Sequence, residues 1–183
     1  MAPTRYHGFL ITLHWLIALA LGAMLASGLL LESLPKPWMF TVIQWHKSLG
    51  VLVLLAVSLR LLVRLSTHTP PLPQNMKAWE VKAAHAGHAA LYILMFTMPL
   101  TGWLMVSSSP YGLPTLVFGL FTWPHIPGLA MNSIVNGIAK ESHEIIAYLL
   151  MATGGVHVAA VIKHAVTDKI HLLPRITFLK SKE

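Results

Sequence analysis

Four stretches of this sequence are each long and apolar enough to cross a lipid bilayer, and no other feature constrains the fold as strongly. A bilayer core needs about 20 consecutive apolar residues when an α-helix crosses it. The predicted spans are roughly Phe9–Leu31, Ile43–Leu65, His85–Val106 and His143–Val166. We therefore predict an all-α integral membrane protein, in which residues 1–183 form one bundle of four transmembrane helices.

The composition agrees with a membrane location and argues against a nucleic-acid partner. Only 10% of the residues are charged and 55% are hydrophobic, whereas about a quarter of the residues in a soluble domain are charged. The net charge of +7 is scattered around the apolar stretches, so the basic patch of a nucleic-acid-binding protein is missing. Anionic membrane lipid explains both the charge and the hydrophobicity. The chain has no cysteine, which excludes thiolate metal sites and covalently attached haem.

The distribution of lysine and arginine predicts the orientation of the bundle. Basic residues concentrate on the cytoplasmic side of membrane proteins, so both termini are expected in the cytoplasm. Cleavage of the first span as a signal peptide is disfavoured, because this span is longer than a signal core and contains His14. The ten residues on the basic side are Arg5, Arg60, Arg64, Lys77, Lys82, Lys163, Lys169, Arg175, Lys180 and Lys182, and the three on the other side are Lys36, Lys47 and Lys140.

The connections between the spans differ in length and composition. The longest runs from Ser107 to Lys140 and is moderately apolar, with prolines at positions 110, 114, 124 and 127. We expect it to lie at the membrane interface and to cap one end of the bundle. Pro99 lies inside the third span and is expected to kink it.

Histidines within the apolar spans carry the functional signal, because an ionisable residue inside a membrane is costly and usually serves a function. His143 and His157 are 14 residues apart on the fourth span. At about 100° per residue, their side chains point within about 40° of one direction, and the helical rise separates them by about 21 Å. One of these histidines therefore lies near each surface of the membrane.

Each of these two histidines has a partner at matching depth. His46 lies near the outer start of the second span and matches His143, whereas His14 lies near the cytoplasmic start of the first span and matches His157. Haem b is the natural occupant of a bis-histidine site that lacks cysteine. We therefore predict two haem b groups with these four histidines as axial ligands to iron.

Two other interpretations of the four histidines are weaker. A single intramembrane histidine is often hydrogen-bonded to a neighbouring helix, but this explains four histidines at matched depths poorly. Zinc usually gathers three or four protein ligands, and no such compact set lies at the outer depth. Histidines outside the spans are interpreted as solvated boundary or loop residues; these are His7, His68, His125, His164 and His171.

Several residues near the predicted ligands have more than one interpretation. His88 is deep enough to compete with His14 or His157 as an axial ligand, or it belongs to a quinone or propionate pocket. Arg60 and Arg64 lie on one face near the inner end of the second span. They pair with haem propionates or lipid phosphates, or they snorkel to the membrane surface.

Near the outer pair, two lysines and a glycine stand out. Lys47 and Lys140 lie beside His46 and His143 in the sequence, where they are candidates to attract an anion or to bind haem propionates. Gly50 follows His46 by one turn. Glycine lets a neighbouring helix or a flat macrocycle approach closely, so Gly50 is the candidate for making room for a porphyrin.

An ordered set of short motifs resembles the bacterial cytochrome b561 family. Each motif is weak alone, but the set extends from His14 to His164 and covers nearly the whole chain. The motifs are Thr12-Leu13-His14-Trp15, Trp45-His46-Lys47-Ser48-Leu49-Gly50, Arg60-Leu61-Leu62-Val63-Arg64, Ala84-His85-Ala86-Gly87-His88, Ser142-His143-Glu144 and Gly155-Val156-His157.

The resemblance implies a four-helix, di-haem, quinone-reactive protein of the bacterial inner membrane. In the family's pattern the inner haem is held by His14 and His157 and the outer haem by His46 and His143, which are the pairs that depth predicts. The family includes a superoxide oxidase, which passes electrons from periplasmic superoxide to ubiquinone. It is also similar to membrane cytochrome subunits of nickel hydrogenases and formate dehydrogenases, which anchor a soluble partner and often have an additional span.

Three functions follow as hypotheses. The leading one is oxidation of superoxide at the periplasmic side and reduction of ubiquinone through two haems. The second is a haem b membrane anchor that passes electrons between a soluble dehydrogenase or hydrogenase and quinone. The third is a non-redox transporter or channel that uses its histidines to carry protons.

Overall fold

The fold consists of four long helices that run alternately up and down. The computed structural model describes residues 5–178. The helices are α1 (Gly8–Leu30), α2 (Lys36–Ser66), α3 (Ala78–Ser108) and α4 (Ser133–Val166), and each is long and apolar enough to cross a membrane. This confirms the predicted four-helix membrane fold. Below, the end of the bundle where both described termini lie is called the inner end, and the opposite end the outer end.

Three of the helices begin earlier than the apolar spans predicted from them. The starts of α3 and α4 are capped by side chains, and a criterion based on apolar length does not detect such caps. In α3, a Glu80 carboxylate oxygen accepts a hydrogen bond from the Lys77 backbone N–H at 3.0 Å. In α4, the Asn132 side chain accepts one from the Val135 N–H at 3.1 Å. Such caps satisfy backbone donors that have no partner inside the helix.

The long connection between α3 and α4 contains a small antiparallel hairpin that was not predicted. Its strands are β1 (Thr115–Val117) and β2 (Phe121–Trp123), and Leu116 pairs with Thr122. At its turn, Phe118 and Gly119 both have positive φ angles, of 49° and 73°. Tight hairpins are usually recognised by Asn-Gly or Asp-Gly at these positions, so a phenylalanine there hides the turn from sequence analysis.

The helices pack in two closely associated pairs. Within residues 5–178, α1 packs along α2 and α3 packs along α4, whereas α4 makes little backbone contact with α1 or α2. A small apolar cluster fills the middle of the bundle; it consists of Leu13, Ile17, Met24, Val53, Val57, Met95, Met98 and Leu150. Pro99 lies inside α3, which remains a single helix. The limited contact of α4 with α1 and α2 leaves space between the helices that carry the predicted ligands.

An ionic cluster joins α3 and α4 at the inner end. The Lys163 ammonium contacts a carboxylate oxygen of Glu80 at 2.5 Å and one of Asp168 at 2.6 Å. His164 Nδ1 lies 2.7 Å from Asp168, and His164 is only 6% exposed. The interpretation of His164 as a solvated boundary residue is therefore wrong, because Asp168 provides a partner one turn away. The Lys163 ammonium lowers the pKa of Asp168 below its usual range.

The segment after α4 folds back over the inner end. The Trp15 indole N–H donates to the Ile176 carbonyl at 2.8 Å, and the Arg175 guanidinium donates to the Pro70 carbonyl at 2.9 Å. The Tyr6 N–H donates to the Arg175 carbonyl at 3.1 Å. This segment therefore connects the N-terminus with the α2–α3 loop. Two residues used to predict orientation, Lys180 and Lys182, lie outside the described residues.

We expect Lys163→Met to lower the thermal unfolding midpoint, because it leaves the buried Glu80 carboxylate without its cationic partner. The matched control is Lys82→Met, which removes an exposed lysine of α3 at the same, inner end of the bundle. Unfolding is followed in detergent by circular dichroism. The double variant Glu80→Gln, Lys163→Met should recover part of the loss. Equal midpoints for Lys163→Met and Lys82→Met would contradict a stabilising role of the cluster.

Candidate cofactor sites

The four intramembrane histidines form two pairs with the same geometry. The ring centroids of His46 and His143 are 6.4 Å apart, and their planes are inclined by 67°. His14 and His157 have the same separation of 6.4 Å and the same angle of 67°. The structure thus brings together the residues that sequence analysis paired by depth. All four side chains are half-buried, and in each pair a histidine of α4 faces one from α1 or α2.

The separation within each pair fits one metal ion between two imidazoles. A histidine nitrogen binds a metal at about 2.0 Å, and the imidazole centre lies about 1.15 Å behind that nitrogen, so two rings on opposite sides of one iron have centroids about 6.3 Å apart. The observed 6.4 Å matches this separation. Two neutral nitrogen donors without thiolate are also the ligand set expected for haem b. The residues present therefore fit a bis-histidine haem at both depths.

Hydrogen bonds select the tautomer of the outer pair. The Ser27 hydroxyl donates to the Met24 carbonyl at 2.9 Å and lies 2.9 Å from His46 Nδ1. Because the hydroxyl has one proton, donation to the Met24 carbonyl requires that it accepts from His46 Nδ1–H. In this tautomer the lone pair of His46 is on Nε2, which is then available to a metal ion.

His143 has the same tautomer for a similar reason. Its Nδ1 lies 3.1 Å from the Met98 carbonyl and 3.1 Å from the Thr101 hydroxyl. A carbonyl only accepts, and Thr101 donates its own proton to Met98 at 2.8 Å. His143 Nδ1 therefore carries the proton, and Nε2 is available. Partners of this kind orient metal-binding histidines and make them more basic.

The inner pair has a different environment. Within residues 5–178, neither His14 nor His157 makes a side-chain hydrogen bond, whereas both outer histidines do. The Arg60 guanidinium donates to the Leu10 carbonyl at 2.5 Å, one helical turn before His14. Arg60 thus points into the bundle beside the inner pair, which agrees better with a role at the site than with snorkelling.

His88 lies beside the inner pair but has a different spacing. Its ring centroid is 5.4 Å from that of His157, at an angle of 61°. This is about 1 Å less than the separation expected for two axial ligands on one iron, so the geometry favours His14 as the partner of His157. His88 lines a shallow cavity of about 120 Å³ together with Tyr6, Arg64, Thr69, Leu72 and His85. The Arg64 guanidinium also lies over the Tyr92 ring, 5.4 Å from its centroid.

The two outer lysines have different surroundings. The Lys47 ammonium donates to the Pro114 carbonyl at 2.8 Å, which ties it to the base of the hairpin. Lys140 is exposed on α4, one turn before His143. Lys140 therefore presents the more accessible positive charge near the outer pair.

Two glycines lie against the rings of the outer histidine pair. A Cβ atom at Gly102 would be 3.2 Å from His143 Cε1, and one at Gly28 would be 3.8 Å from His46 Cε1. A Cβ atom at Gly50, the predicted candidate, would instead lie 3.6 Å from the Met24 side chain of α1. Gly50 thus serves the packing of α1 against α2.

Comparisons with known proteins agree with these features. Residues 5–178 match the family model described as prokaryotic cytochrome b561. The chain is 32% identical to cytochrome b561 homolog 2 of Escherichia coli K12, over 95% of this chain and 92% of that protein. It is 27% identical to the probable superoxide oxidase CybB of Yersinia pestis, over 94% and 95% of the two chains. It is also 27% identical to cytochrome b561 homolog 1 of E. coli K12, over 94% and 96%.

We expect Gly102→Val to reduce the haem content below that of the wild-type chain, because the added side chain would displace His143. Gly87→Val is the matched control on the same helix, since a Cβ at Gly87 has no atom within 4 Å. The measurement is the haem-to-protein ratio of the purified variants by the pyridine haemochrome method. Full haem content in Gly102→Val would show that close approach of α3 to His143 is not required.

Proposed function

The chain belongs to the prokaryotic cytochrome b561 family, and on that premise we propose that it transfers electrons across the membrane through two b haems, from superoxide to ubiquinone. The family consists of b-type cytochromes of the bacterial inner membrane, and the four helices of this chain are those of a multi-pass member. The observation that supports two haems is the repeated geometry of the histidine pairs, each with 6.4 Å between ring centroids.

The two histidine pairs determine which chemistry a bound haem could carry out. Haem b supplies an iron that accepts and releases one electron at a time. Each pair of imidazoles would hold one haem iron from both sides, which would leave no open position for a substrate and would suit electron transfer rather than oxygen binding. Helix α4 contributes one ligand to each pair, and the 14 residues between them correspond to about 21 Å along the helix. One helix therefore spans the distance between the outer and inner sites.

Two features support superoxide as the donor. One relative, from Yersinia pestis, is described as a probable superoxide oxidase. At the outer end, the exposed Lys140 and the partly buried Lys47 lie near the outer pair, where positive charge raises the local concentration of an anion. Two superoxide ions each lose one electron and become dioxygen, and one ubiquinone gains two electrons and two protons to become ubiquinol.

The cavity beside His88 is the candidate site for the quinone head group. Its walls include the Arg64 and His85 side chains, and the His88 ring contacts that of the inner ligand His157. Histidine and arginine N–H groups are suitable donors to a quinone carbonyl. If the inner end faces the cytoplasm, as the basic residues predict, then the two protons come from the cytoplasm.

Substitution of each ligand tests the pairing. We expect His46→Ala and His143→Ala to lose the same haem, and His14→Ala and His157→Ala to lose the other, because one remaining imidazole cannot hold a bis-histidine haem. His88→Ala should retain both haems and slow quinone reduction. The readouts are haem content and reduced-minus-oxidised absorption spectra. Loss of a haem in His88→Ala, with full retention in His14→Ala, would contradict the inner assignment.

Stopped-flow reduction by superoxide tests the donor. We expect superoxide to reduce the purified protein, with or without quinone, faster than dismutation removes it. At low ionic strength, Lys140→Gln should slow this step by a factor of roughly two to ten, an effect that salt removes. Lys82→Gln, at the inner end, is the control of equal charge change.

The stopped-flow result, together with the haem spectrum, also separates superoxide oxidation from the membrane-anchor and transporter hypotheses. No reduction above the dismutation background would exclude superoxide as donor. Co-purification of a soluble dehydrogenase or hydrogenase from mild detergent would then favour the membrane-anchor function. A purified protein without any haem b absorption would favour the non-redox transporter.

A further inference from the structure

The connection between α3 and α4 is unusual because it carries no formal charge. Residues 107–139 contain no aspartate, glutamate, lysine or arginine, and residues 109–132 of this stretch lie outside the long helices. About a quarter of the residues in a water-exposed domain are charged. A connection of this length without one charge is therefore better suited to lipid than to water.

The hairpin presents apolar side chains away from the bundle. Thr115 and Val117 of β1 are buried, whereas Leu116, Leu120 and Phe121 are exposed. Leu120, beside the turn, is 81% exposed and the nearby Tyr111 is 80% exposed. A cluster of exposed apolar side chains marks an interaction surface, whereas single exposed apolar residues do not.

Hydrogen bonds place the hairpin beside the bundle and not above it. The Ser48 hydroxyl accepts from the Phe118 N–H at 3.1 Å and lies 3.1 Å from the Leu116 carbonyl. Ser48 is two residues deeper in α2 than His46, and α2 extends about 18 Å beyond Ser48 towards the outer end. The hairpin is thus at the depth of the outer histidine pair.

Strand β2 of the hairpin contacts α3 through aromatic side chains, also at the depth of the outer histidine pair. The Trp103 indole N–H donates to the Pro124 carbonyl at 2.8 Å, and Trp103 stacks edge-on against Trp123 with 5.8 Å between ring centroids. Trp103 follows Gly102, which contacts His143. Tryptophan and tyrosine are enriched where a membrane meets water, so this pair marks the lipid head-group level.

We propose that the hairpin is inserted into the outer leaflet of the membrane, with Leu120 and Phe121 among the upper acyl chains and the Trp103–Trp123 pair at head-group level. The occupant of this surface is lipid, because the exposed hairpin side chains Leu116, Leu120 and Phe121 are apolar and the hairpin has no charged residue of its own, whereas a soluble partner needs a polar rim. Insertion also anchors α2 at Ser48, two residues from His46. The proposal does not depend on which donor or acceptor the protein uses.

The absence of cysteine in the chain allows a direct test with Leu120→Cys, which creates a single thiol. This variant is labelled with an environment-sensitive fluorophore and reconstituted into phosphatidylcholine–phosphatidylglycerol vesicles. Quenchers are iodide in water and nitroxide groups on either the lipid head group or the upper acyl chain. Glu32→Cys, exposed near the outer end, is the aqueous control, and Leu19→Cys, exposed in the middle of α1, is the lipid control.

Insertion predicts that the Leu120 label has blue-shifted emission, is protected from iodide and is quenched most strongly by the upper acyl-chain nitroxide. Phe121→Cys should behave in the same way, which guards against a local effect of one label. Iodide quenching of both labels equal to that of the Glu32 label, without quenching by lipid nitroxides, would overturn the proposal. That outcome would leave this apolar surface to a soluble partner.

Discussion

The geometry of the bundle depends on two pairs of imidazoles that face each other across a gap. Helix α4 carries one member of each pair, 14 residues apart, and the opposite members come from α1 and α2. Within residues 5–178, α4 packs along α3 and makes little contact with α1 or α2. A gap between apolar helices loses dispersion contacts on both sides unless something fills it. Two haem groups, as proposed above, would fill such a gap and at the same time bind the four nitrogen lone pairs.

The two histidine pairs have the same distance between ring centroids but differ in the groups that surround the rings. The outer histidines donate from Nδ1 to neutral oxygens of Ser27, Met98 and Thr101, which makes the imidazoles more electron-rich. The inner site instead has a guanidinium nearby, since Arg60 reaches the Leu10 carbonyl. Electron-rich ligands favour the ferric state, and a nearby positive charge favours the more negative ferrous state. With haem bound at both sites, the histidine hydrogen bonds and Arg60 would favour electron flow from the outer site to the inner one, and the positive charge of Lys47 and Lys140 near the outer pair would act against it.

The pairing of the four histidines in space could be predicted because a helix repeats its direction at regular intervals, so that spacing and depth in the sequence translate into position. The residues that hydrogen-bond to these histidines could not be predicted in the same way. Ser27 and Thr101 reach across to histidines, whereas Ser58 and Ser66 bond only the carbonyl of their own preceding turn, and nothing in their local sequence distinguishes the two groups. The rotation of each helix decided that Gly102 rather than Gly50 lies against a ligand. The hairpin was missed because Phe118 occupies a conformation that usually takes asparagine or glycine.

The haem-to-protein ratio of the purified wild-type chain, measured together with electron paramagnetic resonance of the oxidised form, tests the account most directly. Two bis-histidine sites predict two haem b groups per chain, and both should give low-spin ferric signals. One haem per chain would contradict the pairing of four histidines into two sites. A high-spin signal from a fully loaded protein would contradict bis-histidine ligation, since it would show an axial position without imidazole.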